Sequence, residues 1–212
     1  ISLQKVNNDT YLKIFDQELI SKQIKPQNND LLTSEIKINL KNEKYNLITG
    51  MTSYESLQKN NNDRYEFILP YYNLSGELNS GKEYGYLNFS SYGSNVLKNT
   101  NNLRSKIIND FDFRSFDFIS DSGLQNNVNI YTKNLIATGK NDEDYNSSVK
   151  NSLTSIFELS SSLPMVKTSD DSLDYLEPKV SFRYNPSNMI NHSDTSRKIN
   201  INNLFDINRL GL

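Results

Sequence analysis

The sequence contains no cysteine, no tryptophan and a single histidine among its 212 residues. The missing thiols exclude cysteine nucleophiles, cysteine-based zinc sites and disulfide frameworks together. With one histidine, the usual metal and general-base constellations lose their main ingredient. Charge of one sign is absent too: 23 Lys and Arg face 25 Asp and Glu, a net −2, which excludes a basic nucleic-acid footprint. The densest apolar run, Phe67 to Tyr72, is far too short for a membrane helix, which needs about 18 to 20 residues. What is plentiful is polar: 32 Asn and 27 Ser. Yet 13 Tyr and 10 Phe accompany them, and disordered chains lack aromatic residues.

The dominant periodicity is two. In Thr33 to Leu40, the residues Ile36, Ile38 and Leu40 take one parity and Glu35, Lys37 and Asn39 the other, the pattern of a strand with one apolar and one wet face. A turn at Asn42 to Lys44 leads into a second alternating stretch, Tyr45 to Tyr54, and then the loop Lys59 to Asp63. The pattern recurs over Arg64–Leu69, Tyr84–Tyr92, Ile107–Phe116, Leu124–Thr138, Ser152–Leu163 and Lys179–Tyr184, separated by Asn, Ser, Asp and Gly clusters such as Asn99 to Asn102 and Asn141 to Ser148.

Strands in soluble domains run about 5 to 6 residues, whereas a tilted strand crossing an outer membrane needs about 9 to 11. The lengths here favour the second. The expected fold is all-β: an antiparallel up-and-down transmembrane β-barrel fragment, an open curved sheet of about ten strands, with residues 1–212 part of one barrel domain. Asp110, Asp112, Arg114 and Glu158 lie inside strands; alternation would send them to a watery lumen, where charge is tolerated, and Ile36, Ile38 and Leu40 to lipid. A large soluble antiparallel sheet with one solvated face has the same alternation.

No residue set asks for catalysis, and no cofactor is called for. His192 sits in a polar loop with no second histidine, and no Gly-x-Ser-x-Gly elbow accompanies it. Asn141 to Asp144 offers oxygen ligands but lacks the glycine and closing glutamate of a calcium loop, so it reads as a solvated hairpin tip. Asp110 and Asp112 could form an acid-base pair, but lumen-lining carboxylates have the same spacing. Four Asn-x-Ser matches are what 32 Asn and 27 Ser give by chance.

Three stretches together resemble the C-terminal barrel of the LPS-assembly protein family LptD, also called OstA or Imp. They are Val6 to Phe15; Arg64-Tyr65-Glu66-Phe67-Ile68-Leu69-Pro70; and Leu176-Glu177-Pro178-Lys179-Val180-Ser181-Phe182-Arg183-Tyr184-Asn185-Pro186, followed by Asn203-Leu204-Phe205-Asp206-Ile207-Asn208-Arg209-Leu210-Gly211. The resemblance marks Leu176, Glu177, Pro178, Arg183, Tyr184, Pro186, Leu204, Phe205 and Arg209 as structural motif positions. With Ile rather than Met in first place, the chain is expected to be an internal fragment.

The resemblance implies a Gram-negative outer-membrane protein that inserts lipopolysaccharide into the outer leaflet. A very large barrel, plugged by an LptE-like lipoprotein, receives lipopolysaccharide from a periplasmic bridge and releases it sideways at the seam between first and last strands. That function needs a closed sheet in lipid, a hydrated lumen for sugars and phosphates, and one weak seam. The family's jellyroll and disulfide cysteines lie outside this stretch. A secreted or surface β-sheet adhesin, or another outer-membrane barrel such as a porin or TonB-dependent receptor, is the alternative.

Overall fold

A computed structural model describes residues 1–14, 29–59, 61–78 and 84–186. It is nearly all antiparallel β, 68% strand against 4% helix, which places the chain in the all-β class. The strands are β1 (Leu31–Lys41), β2 (Tyr45–Ser56), β3 (Tyr65–Leu78), β4 (Gly85–Lys98), β5 (Asn102–Ser115), β6 (Phe118–Ile119), β7 (Gln125–Lys140), β8 (Lys150–Ser162), β9 (Met165–Thr168), β10 (Leu173–Leu176) and β11 (Lys179–Tyr184). One helical turn, α1 (Tyr11–Ile14), and a 3-10 turn at Asn61–Arg64 complete the described elements.

Nine strands form one sheet in the order β1-β2-β3-β4-β5-β7-β8-β11, with β6 on the side of β7. The up-and-down order expected from the sequence is therefore observed. Three strands are longer than the sequence pattern suggests: β3, β4 and β5 each have 14 residues, while β7, with 16, is close to the expected Leu124–Thr138. The three run on past the alternating segments through polar stretches such as Asn73-Leu74-Ser75-Gly76 and Gly93-Ser94-Asn95. A ladder is held by backbone groups, so a weak side-chain preference does not end it when neighbours on both sides pair.

Short turns set the register. Asn42 closes the β1–β2 hairpin: its Oδ1 accepts from the Lys44 and Tyr45 amides at 2.9 and 2.7 Å. Asn99 and Thr100 turn β4 into β5 with φ of 51° and 55°, the left-handed conformation that tight hairpins require. β9 and β10 form a separate two-stranded sheet, but they continue the β8–β11 hairpin: Ser162 opposes Lys179, Met165 opposes Leu176, and the Leu163 amide reaches the Pro178 carbonyl at 3.1 Å. Pro164 and Pro178 have no N–H to donate, which splits the ladder there.

The chain divides into two compact units: residues 1–75, 91–108 and 136–151, and residues 76–90, 109–135 and 152–212. In the first, Leu12 of α1 packs with Leu32 and Leu57, all buried, and with Val6. Asn8 caps α1, its Oδ1 accepting from the Thr10 amide at 3.0 Å. In the same unit Gly50 opposes Lys37, and a Cβ there would lie 2.8 Å from the Tyr71 hydroxyl and against the Ile36 carbonyl. Gly50→Val is therefore expected to cost ~1–3 kcal/mol, read as a lower urea midpoint at unchanged slope.

Candidate functional site

The feature that could carry function is the separation of the sheet into two chemically different faces. In the second unit, β8 and β11 show it through their register. Phe182 opposes Leu159 and Tyr184 opposes Phe157 on one parity; Arg183 opposes Glu158 and Ser181 opposes Ser160 on the other. Phe157, Leu159, Val180, Phe182 and Tyr184 are all exposed, whereas Glu158 and Ser160 are buried. Along β5, Leu103, Ile107 and Phe111 are exposed and alternate with Arg104, Lys106, Asp110 and Asp112.

Three ion pairs of the second unit lie on one parity of their strands. Arg114 donates to Asp112 through Nε at 3.1 Å and Nη2 at 2.8 Å, and its guanidinium lies 5.9 Å from the Tyr131 ring centroid. Lys133 meets Asp110 at 3.4 Å. Glu158, only 5% exposed, is held by Arg183 at 3.3 Å, with Ser160 Oγ 3.3 Å from its Oε1 and 3.0 Å from Asn127 Oδ1. Removing a carboxylate this far from water without a cation would be costly, so the pair fixes β11 against β8. The opposite parity has polar groups that satisfy one another: Asn109 donates to Asn134 at 3.3 Å, and the Thr132 and Ser155 hydroxyls lie 3.2 Å apart.

The first unit repeats the separation. Ile36, Ile38, Leu40 and Met51 are each about half exposed on one side of β1–β2, while on the other Glu35 accepts from the Tyr71 hydroxyl at 2.7 Å. Arg64 binds Asp9 with both terminal nitrogens, at 2.8 and 2.6 Å, and Glu55 through Nε at 2.7 Å, fastening the segment before α1 to the β2 end. That bidentate hydrogen bond holds the Asp9 carboxyl below its ordinary pKa. Arg104 does the same for the β7–β8 connection, binding Asp142 and Asp144 at 2.8 Å each and stacking 5.5 Å from Tyr145. A hollow of about 230 Å³ lies beside Tyr72, Gly93, Ile107 and Val149; its lining has no carboxylate, histidine or cysteine to perform chemistry.

Of the positions marked from the sequence, Asp110, Asp112 and Arg114 do come together on one face, alternating with exposed Phe111. Their partners Lys133 and Tyr131 lie on β7, the sheet neighbour of β5, and nothing in the linear pattern gives the register between the two strands. Leu176, Glu177 and Pro178 lie at the break between β10 and β11, where Glu177 accepts from the Tyr175 hydroxyl at 2.9 Å; Arg183 and Tyr184 are in β11 and Pro186 just follows it. Leu204, Phe205, Arg209 and His192 lie outside the described residues.

One sequence expectation is corrected. Asn141 to Asp144 is not simply a solvated tip, since the Asp142 side chain is only 10% exposed. Its carboxylate accepts from Arg104 and from the Asp144 and Tyr145 amides at 3.0 and 3.1 Å. Alternation is also imperfect: Leu135 and Ala137 are buried on the β7 parity that carries Tyr131 and Lys133.

No family model matches the chain, and no curated protein is significantly similar to it. Among the described residues no three His, Cys, Asp or Glu gather as metal ligands, and no helix is long and apolar enough to cross a membrane.

Two outcomes follow from these pairs. Arg183→Met strands the buried Glu158 carboxylate and is expected to cost near the low end of ~3–5 kcal/mol, with Glu158→Leu in addition restoring most of it; the unfolding midpoints of both variants check this. The hydrogen bond from Arg104, and then the two amides, depress the Asp142 pKa. A depressed folded pKa gives stability that is present above the unfolded value of about 4 and is lost as pH falls through the lower folded one. Thermal melting should therefore fall more steeply between about pH 5 and pH 3 for the native chain than for Asp142→Asn.

Proposed function

We propose that this chain is a wall segment of an outer-membrane β-barrel and, on its resemblance to the LptD family, of the translocon that inserts lipopolysaccharide into the outer leaflet. The observation that carries the barrel reading is the separation along β5, β8 and β11: large exposed apolar side chains on one parity, ion-paired charges on the other. A soluble sheet would bury such an apolar face against a second layer. A lipid-facing strand leaves it bare and sends charge to a hydrated lumen. Strands of 11 to 16 residues in β1 to β5, β7 and β8 also reach or exceed the ~9 to 11 that a tilted crossing needs.

In this reading the chain performs no catalytic step. Its polar parity lines the path of sugars and phosphates, the LptE-like plug and the periplasmic bridge are its partners, and the apolar parity contacts acyl chains. The mutually bonded Asn109, Asn134, Thr132 and Ser155 fit lipid because each satisfies the other. That polar residues stand on the otherwise apolar side is what favours the second reading, a surface β-sheet adhesin whose bare face is covered by another protein.

The two readings separate on an asymmetry. In the full-length parent, Asp112→Leu is expected to leave assembly largely intact, because a lumen position tolerates either character, whereas Phe113→Arg should cost ~2–4 kcal/mol near the bilayer midplane. Heat-modifiable mobility and sensitivity to large antibiotics would report it. Equal damage from both substitutions would overturn the lumen and lipid assignment, and no damage from either would favour the soluble sheet.

A further inference from the structure

The free edge of β1 has an address written on it. At its start the edge is already taken: Ser2 and Glu35 exchange amide hydrogen bonds at 2.8 and 2.7 Å in an antiparallel bridge, and the Gln4 side-chain carbonyl accepts from the Thr33 amide at 2.8 Å. Backbone groups of alternate residues in a strand point the same way. The N–H and C=O groups of Lys37, Asn39 and Lys41 therefore face the same side as those of Glu35, while Ile36, Ile38 and Leu40 bond to β2. Among the described residues no strand pairs with this stretch, and residues 36–41 are all exposed.

The side chains narrow the choice of occupant. Ile36, Ile38 and Leu40 line one side at 45%, 52% and 59% exposure, and Lys37 and Lys41 line the other without an ion pair among the described residues. A second copy pairing antiparallel through β1 would set these lysines against their own kind. Pairing with another copy's β11 would set them against Lys179 and Arg183. We infer that the Lys37–Lys41 edge accepts an antiparallel strand that alternates apolar with acidic residues, the carboxylates on the lysine side and the apolar groups beside Ile36, Ile38 and Leu40. Such β-augmentation takes its affinity from the main chain and its specificity from alternate side chains. It requires no bilayer, so it stands or falls separately from the membrane reading.

The test uses the full 212-residue chain in mild detergent, with fluorescein-labelled eight-residue peptides alternating Val with Glu or Val with Lys, followed by anisotropy. The Val-Glu peptide should bind saturably and the Val-Lys peptide at least about fivefold more weakly, with Lys37→Glu plus Lys41→Glu reversing the order. Asn39→Pro removes an edge donor without touching the β1–β2 ladder and should abolish binding of both. Should that variant misfold by circular dichroism, a Val-Glu peptide N-methylated on its β1-facing amides, offered to the native chain, should likewise not bind. Absence of Val-Glu binding, equal affinity for the two peptides, or binding that survives Asn39→Pro or N-methylation would overturn the inference.

Discussion

An extended chain turns its side chains to opposite sides at every residue, and the two-sidedness of this sheet depends on that constraint. On β8 and β11 the period is kept across the register, so Phe157, Leu159, Phe182 and Tyr184 share a side and Glu158 and Arg183 share the other. A slip of one residue would carry the carboxylate of Glu158 to the apolar side and a phenyl ring to the charged one. The ion pair thus guards the register as well as the strand's attachment.

The apolar residues are mostly not in a core. Leu12, Leu32, Leu57, Leu135 and Ala137 are the buried apolar residues among those described, and Leu32 is nearly inaccessible, while large side chains such as Ile38, Phe111 and Phe182 stay exposed. At about 25 cal/mol per Å² of apolar surface removed from water, leaving them uncovered in water forgoes much of the usual drive to fold. The fold is instead held by its ladders, by the α1 contact with Leu32 and Leu57, and by guanidinium clamps that tie connections to strands. Arg64 does this for the segment before α1, and Arg104 for the β7–β8 connection. Each arginine meets two carboxylates, a geometry a lysine ammonium could not reproduce in bidentate form.

Local chemistry explains where the ladder stops. Pro164 and Pro178 interrupt one hairpin and leave β9–β10 as its separate outer part, and Asn42 and Asn99 turn the chain where their side chains or a left-handed backbone can be accommodated. Gly50 leaves room for the Tyr71 ring on the polar side of the first unit, where Tyr71 reaches Glu35.

The sequence by itself determined the all-β class, the up-and-down order, most strand positions and the common side of Asp110, Asp112 and Arg114, because period two and Asn-rich turns are local signals. It under-read β3, β4 and β5, whose ends run through Asn and Ser, since pairing by neighbours on both sides outweighs weak propensity. Only the tertiary structure decided that Lys133 serves Asp110, that Arg183 serves the buried Glu158, and that Arg104 reaches Asp142 nearly forty positions away. Those pairings depend on which strands neighbour one another and in what register, and the alternation within a single strand carries no information about either.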